Sequence, residues 1–492
     1  MVKQNIHNTI IVGTSAVAQS IALQIIQKKI VGTVIGFISE KEEYPKQISS
    51  IPVLGSINQI KDILLTNRCD SALIAIPNCD TTQLQNIYFL LQKAGVPDIR
   101  ILPELYLLEE TQGHLIQARE IEMEDLLGRA PVKINLRASL NYLRGKRVLV
   151  TGAGGSIGGE LARQLLYGGA QRLYLLDHSE NNIYQIEKEL RTLQEEGVGE
   201  KAIIVPVIGE LQDKDYVEFI LQRLKSDVIF HTAAYKQVPL MEQNPIEVIK
   251  NNFFGTKFLL SGASKSGTQR FVFISTDKAV EPSSVYGVSK LLCEQLVLDE
   301  AKKGNKDFIV VRFGNVLGSM GSIVPLFKEQ IKKGGPVTVT HPDIDRFFMT
   351  IPEASSLVLK AGGTGKSGEL YILDMGEPIK IMELAKQMIG FYGFEPNKEI
   401  QIKVTRLRAG EKLHEKLFED HQKIVPTQTP KINQLLNPIW DKLNLEELTN
   451  QLMPICFLNK NLPTHYRNRV ELKLALSKYF PFLTPTKEEP QY

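Results

Sequence analysis

Two neighbouring segments carry side chains suited to acid–base chemistry. Residues 275–278 (Ser-Thr-Asp-Lys) close an apolar run, and Tyr286 and Lys290 follow at the spacing YxxxK. On a helix, residues four apart share a face, so these two side chains point the same way. An ammonium near a phenol lowers its pKa from about 10 and makes the phenolate a usable base. The pattern predicts a proton-transfer pair in which Lys290 lowers the pKa of Tyr286.

A glycine-rich turn farther upstream has the spacing of a phosphate-binding loop. TGAGGSIGGE contains Gly152, Gly155 and Gly158, follows an apolar run and opens a helical pattern. Glycines let backbone N–H groups approach a pyrophosphate, and the helix N-terminus adds partial positive charge. Asp177 ends the next apolar run, where a carboxylate can hydrogen-bond an adenosine ribose. We therefore predict a dinucleotide site for NAD or NADP, with NAD favoured because no arginine directly follows that acid.

A parallel sheet must position these residues. The second half of the chain shows apolar runs at 147–151, 173–177, 202–209, 227–234, 270–277 and 308–316, with room between them for crossover helices. Short runs rich in Val, Ile and Phe are typical of strands buried on both faces. Doubly wound sheets place their chemistry at the carboxyl ends of the strands. The glycine turn and residues 275–278 are both expected there.

An earlier series of the same kind begins the chain, with apolar runs at 8–13, 31–39 and 71–77. The predicted fold class is α/β: two tandem Rossmann-like, doubly wound parallel-sheet domains, the second with a smaller C-terminal substrate-binding subdomain. Only Gly13 remains in the first glycine turn, so that domain is interpreted as a nucleotide fold that has lost or altered its ligand. The predicted boundaries are 1–130 for the degenerate nucleotide fold, 131–146 for a linker, 147–425 for the catalytic domain and 426–492 for a C-terminal extension ending in a frayed tail.

Composition and charge exclude several classes of protein. The 492 residues are 43% hydrophobic and 23% charged, as in folded multi-domain proteins. The net charge of +3 does not indicate a nucleic-acid-binding protein. The four cysteines form no CxxC pair, so neither a disulfide scaffold nor a metal site is expected. No run approaches the ~18 apolar residues of a membrane span, and the N-terminus lacks a signal-peptide layout. A cytoplasmic location is expected.

The order of the motifs resembles a known family. The sheet with its glycine turn and YxxxK pair is similar to the extended short-chain dehydrogenase/reductase superfamily. Five further segments resemble the polysaccharide-biosynthesis nucleotide-sugar 4,6-dehydratases: HTAAYKQVPLMEQNP (231–245), VRFGNVLGSMGSIVPLF (311–327), HPDIDRFFMTIPEA (341–354), GELYILDMGEPIKI (368–381) and LRAGEKLHEKL (407–417). The resemblance covers about 140–425. The tandem arrangement resembles the long forms of that family, which usually begin with several transmembrane helices. Such helices are not expected here, and peripheral membrane association is left open.

The resemblance implies a UDP-N-acetylglucosamine 4,6-dehydratase with tightly bound NAD(P). Such an enzyme oxidises the sugar at C4, eliminates water across C5 and C6 and returns the hydride to C6. Tyr286, assisted by Lys290, would take the C4 hydroxyl proton. Asp277 would be the acid at O6, Lys278 the base at C5 with a pKa lowered by burial, and Thr276 a hydrogen-bond partner of the sugar.

The predicted cofactor-binding residues are Gly152, Gly155, Ser156, Ile157, Gly158, Asp177, His178, Ser179, Glu210, Leu211, Thr232, Tyr286 and Lys290. By resemblance, the residues expected to face a UDP-sugar are Lys236, Asn315, Arg346, Arg408 and Glu411. Arginine suits a diphosphate because its planar fork can engage two oxygens. A homo-oligomer is the expected assembly.

Some positions depart from the family pattern, and two other functions stay open. Many long forms carry methionine where this chain has Tyr286, which leaves the configuration at C5 open. Glu210 and Gln237 replace the usual aspartate and histidine, and Ala409 replaces proline.

A nucleotide-sugar 4-epimerase would need Tyr286 and Lys290 but not residues 277 and 278. A non-enzymatic NAD(P)-sensing regulator would be expected to have lost the tyrosine or the lysine.

Overall fold

The chain folds as two compact units, Met1–Asn135 and Leu136–Tyr492. The computed structural model describes residues 8–28, 33–76, 79, 81–102, 119–120, 140–195, 197–198, 202–304, 306–438 and 443–485. Most of the predicted linker, residues 131–139, and the end of the predicted tail, residues 486–492, lie outside these ranges. Within them, no helix combines the length and apolarity that crossing a bilayer requires.

The first unit is built on one mostly parallel sheet. Its strands are β1 (Asn8–Val12), β2 (Thr33–Ser39), β3 (Gln47–Ile48), β4 (Ile51–Ser56), β5 (Ser71–Ile74), β6 (Asp98–Ile101) and β7 (Arg119–Glu120), and its α-helices are Ala16–Lys28, Ile60–Thr66 and Thr81–Lys93. The strand order is β3-β4-β2-β1-β5-β6-β7. The five central strands run parallel, and only β3 and β7, at the edges, are antiparallel.

The glycine turn of the first unit is hydrogen-bonded to a carboxylate of the same unit. Gly13 has a φ of +121°, and a Cβ there would lie 2.6 Å from the Ala75 carbonyl oxygen, so glycine is required. Glu40, just after β2, accepts hydrogen bonds from the Thr14 backbone N–H and hydroxyl at 2.9 and 3.0 Å. An acid just after β2 thus holds the turn, and the lost or altered ligand of this domain stays a prediction.

The second unit contains a nine-stranded sheet. Its strands are β8 (Arg147–Thr151), β9 (Arg172–Asp177), β10 (Ile203–Ile208), β11 (Val228–His231), β12 (Arg270–Thr276), β13 (Asp307–Phe313), β18 (Leu370–Leu373), β21 (Lys423–Pro426) and β22 (Ile432–Leu436). They lie in the order β10-β9-β8-β11-β12-β13-β18-β22-β21. The first seven are parallel, and β22 and β21 add antiparallel pairs. The order reverses direction between β8 and β11, which opens a crevice at their carboxyl ends.

Helices and three small sheets complete the second unit. Its α-helices are Ser156–Tyr167, Glu180–Glu195, Lys214–Leu224, Val238–Gln243, Pro245–Val248, Gly255–Lys265, Val285–Ala301, Ile323–Lys332, Ile351–Thr364, Ile381–Phe391, Leu445–Cys456 and Arg469–Ser477. The small sheets pair β14 (Asn315–Val316) with β17 (Phe348–Met349), β15 (Val337–Val339) with β20 (Ile402–Val404), and β16 (Asp345–Arg346) with β19 (Ile379–Lys380). The predicted fold class, two parallel-sheet domains with a smaller subdomain on the second, is confirmed.

The C-terminal residues showed no clear periodicity in sequence, yet they form two capped helices. The Asn444 side chain accepts a hydrogen bond from the Glu447 N–H, and the Asn468 side chain accepts one from the Glu471 N–H. Asn followed three residues later by Glu is an N-terminal helix signal, and it could have predicted both helices. Four leucines of these helices are fully buried in the same core as residues of the nine-stranded sheet: Leu448, Leu452, Leu472 and Leu476. Residues 443–485 are therefore packed into the second unit rather than appended to it.

We expect Leu452→Ala to lower the free energy of unfolding by roughly 2–5 kcal/mol, because truncating a buried leucine loses transfer free energy and leaves a cavity. Leu458→Ala is the matched control, since Leu458 is 61% exposed. Denaturant unfolding of both variants measures the effect. Equal stability of the two variants would contradict the packing of this segment.

Candidate active site

The glycine turn after β8 is shaped for close backbone approach. Gly152 has a φ of +68°, and a Cβ at Gly158 would lie 2.1 Å from the Gly152 carbonyl oxygen. The helix Ser156–Tyr167 begins at Gly155, which has no side chain to accept from the first-turn amides. These amides and the positive end of the helix dipole are therefore available to an anionic group.

Two polar side chains fix this turn against the sheet. The Asp177 carboxylate, at the end of β9, accepts hydrogen bonds from the backbone N–H groups of Gly154 at 3.1 Å and Ser179 at 3.0 Å. The Thr232 hydroxyl, just after β11, donates to the Thr151 carbonyl oxygen at 2.7 Å. A side-chain-free cradle, a helix N-terminus and a strand-end acid together fit the pyrophosphate and ribose of a dinucleotide.

Gly158→Ala is expected to remove most of the bound dinucleotide, because the added methyl group cannot fit beside the Gly152 carbonyl without opening the turn. Gly159→Ala is the matched control on the same helix, since a Cβ there would meet its nearest neighbour, the Ala153 carbonyl oxygen, at 3.4 Å, an ordinary contact. The measurement is the nucleotide released per protein chain on denaturation. Equal nucleotide content in both variants and the unmodified protein would show that this turn does not hold the cofactor.

The helix Val285–Ala301 positions the predicted proton-transfer pair. Its N-cap Ser284 accepts a hydrogen bond from the Gly287 N–H. Asn252 lies in a π-helical turn and is 2% exposed; its side chain bonds both backbone groups of Tyr235 and donates to the Ser289 hydroxyl at 3.0 Å. This amide ties the loop after β11 to the helix that carries Tyr286 and Lys290. Sequence reasoning missed Asn252, and no local motif marked it.

The electrostatics of the pair differ from the prediction. Burial raises the pKa of Tyr286 to about 12, against the opposing effects of the Lys278 ammonium and the Thr276 hydroxyl. Lys290 instead donates to the Ile274 carbonyl oxygen at 2.6 Å and lies 4.0 Å from the centre of the Phe273 ring. Burial lowers its pKa to about 8. The expectation that Lys290 lowers the pKa of Tyr286 was wrong: the cation acting on the phenol is Lys278.

Thr276, Asp277 and Lys278 form a compact cluster at the end of β12. The Asp277 carboxylate is fully buried, and its Oδ1 accepts from the Thr276 hydroxyl at 2.8 Å and from Lys278 Nζ at 3.0 Å. Lys278 Nζ also donates to Asn315 Oδ1 at 3.0 Å. Thr276 is in hydrogen-bond contact with Tyr286 as well. The cluster therefore links the phenol, a hydroxyl, a carboxylate and an ammonium in one chain of contacts.

Two expectations for this cluster need correction. Burial lowers the pKa of Lys278, but the carboxylates of Asp277 and Glu415 outweigh it, so the pKa is raised rather than lowered. Lys278 is thus an ammonium in the free protein. Asp277 lies behind the cavity wall rather than on it, so its proton must pass through Thr276 or Lys278 to reach a ligand.

The two arginines predicted to face the nucleotide sugar differ in how far their guanidinium groups are bonded within the protein. Arg346 Nη1 and Nη2 donate to the carbonyl oxygens of Asp345, Leu413 and Lys412 at 2.6–3.2 Å. Its fork mainly holds the backbone of residues 412 and 413, yet Arg346 also lines the cavity, so its expected place facing the nucleotide sugar stays a prediction. Arg408 has a 52% exposed side chain whose Nε lies 3.9 Å from Glu411. Arg408 is the arginine free to engage a diphosphate.

A single cavity of about 530 Å³ collects nearly all of these residues. Of the predicted site residues, all but Ser179 and Asp277 line it: Gly152, Gly155, Ser156, Ile157, Gly158, Asp177, His178, Glu210, Leu211, Thr232, Lys236, Thr276, Lys278, Tyr286, Lys290, Asn315, Arg346, Arg408 and Glu411. Glu415 also lines it and was missed. In the part of the chain that the structure describes, no group of three or more His, Cys, Asp or Glu side chains could hold a metal ion.

Comparison with known proteins adds independent information. Residues 148–437 match the family model described as polysaccharide biosynthesis protein. The probable polysaccharide biosynthesis protein EpsC of Bacillus subtilis is 42% identical over 403 residues, 81% of this chain and 66% of its own length. The capsular polysaccharide biosynthesis protein CapD of Staphylococcus aureus is 42% identical over 76% of this chain and 61% of its own. The chain therefore spans less than two thirds of either relative. The solved structure of Pen from Bacillus thuringiensis is 30% identical, with a TM-score of 0.54 over 60% of this chain and 90% of that one.

Proposed function

We propose, because the chain belongs to the polysaccharide biosynthesis protein family, that it is an NAD-dependent nucleotide-sugar 4,6-dehydratase. UDP-N-acetylglucosamine is the first candidate substrate. The observation that carries the proposal is the position of Lys278, which lies on the cavity wall in contact with Asp277 and acts electrostatically on Tyr286. An acid–base pair beside an oxidation site is what elimination of water requires. A cytoplasmic location and a homo-oligomeric assembly remain predictions.

The cofactor proposal rests on one wall of the cavity. The turn from Gly152 to Gly158 would hold the pyrophosphate, and Asp177 would receive the adenosine ribose, which favours NAD over NADP. Lys290, which also lines the cavity, would hold the second ribose. When bound, the nicotinamide supplies an acceptor for the hydride of sugar C4 that is given back at C6.

Oxidation at C4 requires a group that takes the hydroxyl proton. Tyr286 lines the cavity and contacts the Thr276 hydroxyl. Because its pKa is raised to about 12, Tyr286 is a neutral phenol at pH 7. The neighbouring Lys278 ammonium stabilises the phenolate as the proton moves off the phenol. Tyr286 therefore relays the C4 proton through the Thr276 hydroxyl to solvent rather than resting as a free base.

Elimination requires a base at C5 and an acid at O6 at the same moment. Moving one proton across the 3.0 Å contact from Lys278 Nζ to Asp277 Oδ1 converts an ion pair into an amine and a carboxylic acid. The amine then takes the C5 proton, and the C5–H electrons form the C5=C6 bond as the C6–O6 bond breaks. Thr276 gives its proton to O6, which leaves as water, and takes the proton of Asp277. The ion pair is restored. As the hydride returns to C6, the Lys278 ammonium gives a proton to C5, and the resulting amine takes from solvent a proton equal to the one released at C4 oxidation.

A 4-epimerase is the second candidate, and the burial of Asp277 behind the cavity wall favours it. The test is the mass of the nucleotide sugar formed from UDP-N-acetylglucosamine. A dehydratase gives a product lighter by one water, whereas an epimerase gives a product of unchanged mass.

A further inference from the structure

Glu415 lies between Lys278 of the reacting cluster and Arg346, the arginine that binds the backbone just before Glu415. Its side chain is 3% exposed, and its Oε1 lies 3.6 Å from Lys278 Nζ and 3.8 Å from Arg346 Nε. Its Oε2 is buried and has no hydrogen-bond partner among the described residues. A buried carboxylate is costly unless cations or a ligand donor compensate it, so this position is under strong electrostatic constraint.

The carboxylate is held on a rigid base. Arg346 donates to the backbone carbonyl oxygens of Lys412 and Leu413, which fixes the segment that carries Glu415. Lys278 therefore lies between two buried carboxylates, those of Asp277 and Glu415, with Asn315 as a third contact. Three fixed acceptors define where the ammonium lies on the cavity wall.

We propose that Glu415 is a positioning residue for Lys278: its carboxylate, held by Arg346, keeps the ammonium charged and aimed at the position of sugar C5. This inference rests on the proposed dehydratase function and deepens it. Five further charged or titratable groups interact electrostatically with Lys278, and none of them is substituted in the Glu415 and Glu411 variants below. They are Asp277, Arg346, Tyr286, Lys236 and Lys412.

The first test titrates Lys278 without substrate. The rate at which acetic anhydride acetylates Lys278, followed by peptide mass spectrometry against pH, reports the fraction of free amine. In Glu415→Gln the midpoint is expected to fall by about 1–3 pH units, because a carboxylate within 4 Å stabilises the ammonium by that order. Glu411→Gln is the matched control: Glu411 pairs with the same Arg346 at 3.5 Å, and it is expected to leave the Lys278 midpoint unchanged.

The second test uses turnover. The amine–acid pair carries one shared proton, so losing it above the pKa of Lys278 removes the acid and ends elimination. The alkaline limb of the pH profile of kcat is therefore expected to move to lower pH in Glu415→Gln. In Glu415→Asp, which keeps the charge, the limb should lie close to that of the unmodified protein. Thermal unfolding verifies that each variant is folded.

An unchanged acetylation midpoint in folded Glu415→Gln would overturn the inference, as would an equal shift in Glu415→Asp. Failure of the proposed function has a different signature. If the unmodified protein yields no product lighter by one water, the dehydratase assignment fails, while the acetylation midpoints still report whether Glu415 sets the charge of Lys278.

Discussion

Lys278→Ala is expected to lower formation of the dehydrated sugar by about 10²–10⁴-fold, the usual contribution of a general acid–base group. The variant removes a side chain on the cavity wall that bonds both Asp277 and Asn315. Oxidation at C4 loses the ammonium that stabilises the phenolate but keeps Tyr286 and Thr276, so it should be slower yet remain measurable. The expected result is a nucleotide sugar oxidised at C4 that keeps its C6 hydroxyl group.

The control for this variant is Lys302→Ala, since Lys302 is half-exposed at the far end of the helix that carries Tyr286 and pairs with Asp299. Its turnover should match the unmodified protein. Product analysis by mass spectrometry measures both variants. Unchanged turnover in Lys278→Ala would contradict the dehydratase mechanism and favour an epimerase, which does not need this lysine.

Tyr286→Phe is expected to lower C4 oxidation, and with it every later step, by about 10²–10⁴-fold. The phenol is 6% exposed inside the cavity, so phenylalanine keeps the packing and removes only the proton-transfer oxygen. Unlike Lys278→Ala, this variant should yield no C4-oxidised sugar.

Tyr184→Phe is the matched control, since Tyr184 is 59% exposed on the helix Glu180–Glu195. Steady-state turnover of UDP-N-acetylglucosamine measures both variants. Turnover of Tyr286→Phe at the unmodified rate would remove the phenol from the mechanism and leave the Thr276 hydroxyl as the sole proton acceptor.

The parts of the site that were predictable from sequence are those encoded by local spacing. The glycine turn after β8, the acid Asp177 at the end of β9 and the Tyr286–Lys290 pair all depend on residues close together in the chain. Each is positioned by the parallel sheet, which the apolar runs predicted. The same local logic, applied to Asn444 and Asn468, would have found the C-terminal helices.

The parts that were not predictable depend on tertiary contacts. Glu415 meets Lys278 only because Arg346 binds the backbone of its segment, and no spacing in the chain indicates that contact. The direction of the Lys278 pKa shift follows from the carboxylates of Asp277 and Glu415 together, so a prediction made from burial near Lys290 had the wrong sign. Arg346 was expected to face the nucleotide sugar by resemblance. Its bonds to backbone carbonyl oxygens depend on the fold, so the sequence did not indicate them.

The central claim is that this cavity removes water from a nucleotide sugar, and NMR of the product formed from UDP-N-acetylglucosamine in deuterated water tests it most directly. The account predicts a 4-keto-6-deoxy sugar with deuterium at C5 and a methyl group at C6. A product that keeps its C6 hydroxyl group, with C4 inverted and no deuterium at C5, would contradict it.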